Sequence, residues 1–101
     1  MELYEINLEE NLEIAWKCNN WYEREDGLVE IIESTGEKVL LNGNLCIVWL
    51  AIEYESSLKE IWNRISEKME WEVLQDIIRV LYNTSLISVK KEKDVFKELF
   101  G

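Results

Sequence analysis

Apolar and polar positions along this chain change period near its middle. Before Thr35-Gly36 the apolar positions largely alternate, and after it they soon recur at helical spacing. Ile14, Trp16 and Cys18 alternate as in a half-buried strand, Asn19-Asn20 interrupts them, and Trp21-Tyr22 resumes the aromatic character. Asp26-Gly27 suits a two-residue hairpin turn, which predicts that residues 21–25 pair with residues 28–33. Val29, Ile31 and Ile32 give the second arm β-branched bulk. Ser34-Thr35-Gly36 makes the next turn, and residues 37–41 then return antiparallel, closing a three-stranded meander.

Beyond Asn42-Gly43-Asn44 the run 45–52 is almost wholly apolar. Such a run suits a buried strand or a buried helix. The preceding asparagines, either of which can cap, and the trailing Glu53-Tyr54-Glu55 favour a central helix. Ser57-Leu58-Lys59-Glu60 is a capping box, followed at helical spacing by Leu58, Ile61, Trp62, Ile65 and Met69, with an end expected near Lys68. A third helix is predicted from Glu70 or Trp71 to about Tyr82. Its stripe is Leu74, Ile77, Ile78 and Leu81, widened by Val73 and Val80 on one side and by Trp71 and Tyr82 on the other. That sector is wider than one core contact needs. Asn83-Thr84-Ser85 breaks the helix, and Leu86, Ile87 and Val89 suit one more short extended piece. Residues 1–11 read as a flexible arm or short extra element, and residues 90–101 as a tail with an amphipathic helix. The fold class expected is α+β: a three-stranded antiparallel meander followed by three helices, in the manner of a winged helix-turn-helix, as a single domain over residues 1–101.

Composition narrows the function. At 48% hydrophobic the chain has enough apolar residues for a modest core, and charges interrupt every candidate membrane span. The acidic start Met1-Glu2-Leu3-Tyr4-Glu5 does not suit a secretory signal, so a soluble cytoplasmic protein is expected. A formal net charge of -10 disfavours phosphate backbones and steers partners with basic segments. There is no histidine and no Cys-x-x-Cys, which removes the commonest zinc sets and every histidine triad. Cys46 reads as a buried small hydrophobe and Cys18 as half exposed, with no disulfide expected between them.

Several pieces together resemble the PqqD-like proteins. Thr35-Gly36-Glu37, Leu41-Asn42 and Ile47-Val48-Trp49 are similar to that family's turn, Leu-Asn and Ile-Trp pattern. Ser57-Leu58-Lys59-Glu60-Ile61 resembles its following helix. Asp76-Ile77, Val80-Leu81 and Leu86-Ile87 resemble its closing series, the likeness spanning about Trp21 to Ile87. Thr84-Ser85 and Glu55-Ser56 stand where the family often carries glycine. The resemblance implies a peptide chaperone, or precursor-peptide recognition element. Such a protein binds the leader of a ribosomally made precursor and presents it to a modifying enzyme such as a radical SAM protein, or to a leader protease. It implies a leader strand added beside the third strand and packed against the third helix.

The peptide-binding residues expected are therefore Glu37, Lys38, Val39, Leu40 and Leu41 along the strand edge, with Trp71, Leu74, Ile78 and Tyr82 from the helix. Carried over from the family pattern, Ile77, Val80 and Leu81 go to the core. Taken alone, Leu74 and Ile78 are more often core than contact residues, and the opposite edge, Val73 with Asp76, competes for the role. The acidic surface suggests a leader with some Lys or Arg. Neither catalysis, nor a cofactor, nor a metal, nor a nucleic acid or membrane partner is expected, and homodimerisation is left open. Two rivals remain. A winged-helix DNA-binding regulator needs a basic recognition helix, whereas Glu60, Glu67, Glu70, Glu72 and Asp76 crowd these helices. A scaffold would bind only the partner enzyme, through the amphipathic tail.

Overall fold

The computed structural model describes residues 11–90, so the expected N-terminal arm and tail helix lie almost wholly outside the described residues. The described chain is α+β, with six strands in two antiparallel sheets and three helices. Its elements in order are β1 (Glu13–Trp16), β2 (Trp21–Glu23), β3 (Val29–Ile32), β4 (Lys38–Leu41), α1 (Gly43–Ile52), β5 (Glu55–Ser57), α2 (Leu58–Ile65), α3 (Trp71–Asn83) and β6 (Ile87–Lys90). One sheet runs β5-β1-β6 and the other β2-β3-β4. The meander expected from the sequence is thus present. The second sheet was not foreseen: its strand β5 spans only three residues, and β1 and β6 pair across most of the chain.

Both meander turns use one device. Arg24 N donates to Leu28 O at 2.7 Å and Gly27 N to Arg24 O at 3.0 Å; Glu33 N donates to Glu37 O and Gly36 N to Glu33 O, both at 2.8 Å. Each loop therefore has three residues and ends on a glycine at positive φ, +85° for Gly27 and +89° for Gly36. Asp26-Gly27 is not the two-residue turn that its dipeptide suggests. Glu25 joins the loop because the left-handed bulge needs a single glycine, placed third, and Asp26 Oδ1 instead accepts from Leu28 N at 3.2 Å.

The core joins the two sheets to the helices. Ile14, Val29, Ile31, Val48, Trp49, Ile52, Leu58, Ile61, Leu74 and Ile78 are fully buried. The middle helix α1 begins two residues earlier than the apolar run, at Gly43, and carries no charged residue. Asn42 sits at its N-cap position, but its side chain makes no capping bond; its backbone carbonyl accepts from Leu45 N at 3.1 Å instead. The other end is braced by Arg64, whose guanidinium donates to Ala51 O and Ser56 Oγ, both at 2.7 Å, and pairs with Glu53 at 2.9 Å. α2 ends at Ile65 rather than near Lys68, its last turn tightening as Lys68 N donates to Ile65 O.

The capping box of α2 is formed: Glu60 N donates to Ser57 Oγ at 3.1 Å and Ser57 N to Glu60 Oε1 at 2.9 Å. These bonds hold the Glu60 carboxyl below the usual carboxylate range, the backbone bond from Ser57 first. A lowered folded pKa means that the contribution is present above the unfolded value and is lost as pH falls through the folded one. Ser57→Ala should cost about 1 kcal/mol in urea unfolding at neutral pH. The wild-type advantage over Glu60→Gln should shrink as the solution is acidified below the carboxylate range. Ser85 meets φ +64° with a side chain, so Ser85→Gly should leave the fold intact and raise the urea midpoint, by up to about 1 kcal/mol of relieved strain.

Candidate functional site

The register of the meander decides what β4 offers. Val29 pairs with Leu41, Ile31 with Val39, and Glu33 bonds Glu37, so odd-numbered residues turn their backbone groups toward β3. Lys38 and Leu40 turn their N–H and C=O the other way. β4 is the last strand of its sheet, and no strand pairs with that outer edge among the described residues. Side chains alternate with the same period. Leu41 is buried and Val39 half-buried on the core face, while Lys38 and Leu40 stand on the outer face, with Leu40 51% exposed. Glu37 lies exposed just before the strand. The far end is tied down by the Cys46 thiol, which donates to Leu41 O at 2.8 Å and whose pKa burial pushes up. Cys46 and the half-exposed Cys18 are both free thiols.

Glu30 is the hub of the outer face. It is 9% exposed, although it points away from the helices. Tyr22 Oη donates to its carboxylate at 2.7 Å, Arg24 lies at 3.6 Å and Lys38 at 4.0 Å; Arg24 also holds Asp26 at 2.9 Å. The bond to Glu30 is the main cause that raises the Tyr22 phenol above its ordinary pKa, with desolvation adding to it. Tyr22, Glu30 and Leu40 form one cross-strand row, so the exposed Leu40 has this polar cluster as its neighbour within the sheet.

The expected helix residues do not gather at this edge. α3 packs chiefly on α1 and β6. Leu74 and Ile78, expected on the surplus apolar side, are both wholly buried with Ile77 and Leu81. Trp71 is half-buried, edge-on to Trp62 with ring centroids 5.3 Å apart. Tyr82 lines a cleft of about 330 Å³ with Ile87, Ser88 and Val89 of β6. The apolar surface of α3 lies on the other side: Val80, which the family resemblance had placed in the core, is 40% exposed, and Val73 is half-buried. The reason is the placing of β6, an expected extended piece whose pairing with β1 was not foreseen: together with α1 it packs on α3, and Leu74, Ile78 and Leu81 go inward. Asp76 and Arg79 form the expected surface pair, at 3.4 Å.

A cleft of about 530 Å³ was not foreseen from the sequence. The β1–β2 connection, the β3–β4 turn and the α3–β6 loop meet there, with Lys17, Asn20, Glu33, Thr35 and Ser85 among its walls. Nothing local foretells it, since its walls are distant in sequence. Among the described residues no group of three or more His, Cys, Asp or Glu could hold a metal ion, and no helix is long and apolar enough to cross a membrane.

Compared with family models, with curated proteins and with solved structures, the chain finds no match in any of the three.

Burial separates the two edges of α3 experimentally. Leu74→Ala and Ile78→Ala should each cost about 2–5 kcal/mol in urea unfolding, whereas Val80→Ala should stay within about 0.5 kcal/mol of wild type.

Proposed function

We propose that this chain binds the leader of a ribosomally made precursor peptide by strand addition along β4, without catalysis, and presents it to a modifying enzyme such as a radical SAM protein or to a leader protease. The observation that carries this reading is the outward backbone of Lys38 and Leu40 at the end of a sheet. Such an edge offers sequence-tolerant hydrogen bonds to any extended polypeptide. A four-residue strand preceded by Glu37 and starting on Lys38 is also too short and too charged to invite open-ended self-pairing. The order of meander and three helices, with β6 as a wing strand after α3, supports a winged helix-turn-helix arrangement, and with it the PqqD-like resemblance. On this reading the contacts come first from Glu37 to Leu41. Since Leu74 and Ile78 are buried, any share that α3 takes falls to its half-exposed positions, with Trp71 and Tyr82 among them. The work is cytoplasmic, where such precursors are made.

A proline at an outward-facing position of an edge strand removes one donor to an incoming strand and none to the sheet. Leu40→Pro should therefore keep the fold and weaken leader binding about fivefold, the worth of one hydrogen bond. Val39→Pro, which removes a bond to β3, should instead lower stability. Tryptophan fluorescence titrated with the leader regions of precursor peptides encoded beside the gene measures the first effect, and urea unfolding the second. Leader affinity untouched by Leu40→Pro would rule out this edge.

A further inference from the structure

The outer face of β4 carries more than backbone groups. We infer that Lys38 and Leu40 select the incoming strand, favouring one that places an acidic residue opposite Lys38 and an apolar residue opposite Leu40, two positions apart. This rests on the strand-addition reading above and names the partner chemistry of that site.

A strand hydrogen-bonded to Lys38 and Leu40 sets its own residues directly across from them, with Cβ atoms about 5 Å apart on the same face. Residues 38 and 40 are two apart, so the residues opposite them are two apart as well. Leu40 is half exposed, and within the sheet it is flanked by Glu30, whose carboxylate is turned toward Tyr22 and Arg24. An apolar or β-branched side chain laid against Leu40 would cover it without disturbing that cluster.

Lys38 is the cation nearest this edge. Its side chain is 64% exposed, and its ammonium reaches Glu30 only at 4.0 Å. Glu30 is already engaged more closely by Tyr22 at 2.7 Å and by Arg24 at 3.6 Å. The Lys38 ammonium therefore keeps most of its capacity for a second carboxylate. A Lys or Arg opposite it would meet like charge at cross-strand distance. The chain's net charge of -10 still draws a basic peptide from afar. The two preferences act at different ranges. The overall field favours a basic peptide, and the register position opposite Lys38 favours a carboxylate within it.

Selection from a random-peptide display library against the immobilised protein tests this without knowledge of the natural leader. The enriched peptides should carry Asp or Glu two residues from Val, Ile, Leu or an aromatic, in whichever order matches the strand direction. Replacing the acidic residue by Lys in an enriched peptide should weaken binding about threefold or more. Lys38→Gln should erase the acidic preference, and Lys38→Glu should turn it toward Lys or Arg; circular dichroism establishes that both variants are folded. Peptides that lose binding to Leu40→Pro yet show no acidic preference, or the same preference on Lys38→Glu, would overturn this inference and leave strand addition standing. Enriched peptides indifferent to Leu40→Pro, or no enrichment at all, would count against both.

Discussion

Three tryptophans hold the two sheets to one helix. Trp16 at the end of β1 stacks on Trp49 of α1, with centroids 5.5 Å apart at 25°, and its indole N–H donates to Trp49 O at 3.0 Å. Trp21 at the start of β2 meets both rings edge-on, at 4.8 and 5.9 Å. Each sheet thus gives one ring to a junction whose centre is the wholly buried Trp49. Such pairs contribute about 0.5–1.5 kcal/mol each beyond the area they bury. The consequence for the site is positional. The meander is anchored through β2, β3 lies between, and β4 is left at the end away from the junction.

The edge of β4 is fixed in register by two local devices and one alternation. Gly36 sets the bulged turn at one end, and the Cys46 thiol holds the Leu41 carbonyl at the other. Between them Leu41 is buried and Val39 half-buried, so a slip of one residue would expose both and bury a lysine. That constraint turns the backbone groups of Lys38 and Leu40 outward, and it puts their side chains on the face with Glu30. An open edge and its side-chain pattern therefore have one cause.

Two sharp bends lead from a helix into a strand of the β5-β1-β6 sheet without glycine. Glu53 and Tyr54 both have positive φ between α1 and β5, just ahead of Glu55-Ser56, and Ser85 has one between α3 and β6. Each such residue costs on the order of 1 kcal/mol. At the first bend Arg64 bridges Ala51 O, Ser56 Oγ and Glu53, while Trp16 N donates to Tyr54 O at 3.0 Å. At the second, Ser85 N donates to Tyr82 O, and Leu86 N to Leu81 O, both at 3.0 Å. Hydrogen bonds hold the backbone where glycine would otherwise make the turn easy. This chain reaches both bends by bracing them.

By itself, the sequence determined those features that rest on neighbours along the chain. Alternation around Val29 and Ile31, the glycines of the two turns, the Ser57–Glu60 box and the 3.6-residue stripe of α3 are all local, and they specify the meander and three helices to within a few residues. The open strand edge was legible for the same reason, because a meander must have an end. The partners of β1 and β6 were not legible, because pairing Ile14 with Ser56 and Val89 depends on contacts distant in sequence. Which side of α3 would be covered was decided there too. Its apolar sector fits burial on either edge, and only the placing of β6 and α1 sent Leu74 and Ile78 inward and left Val80 facing water. A periodicity says that a helix has a face to bury; it carries no information about which neighbour arrives to bury it.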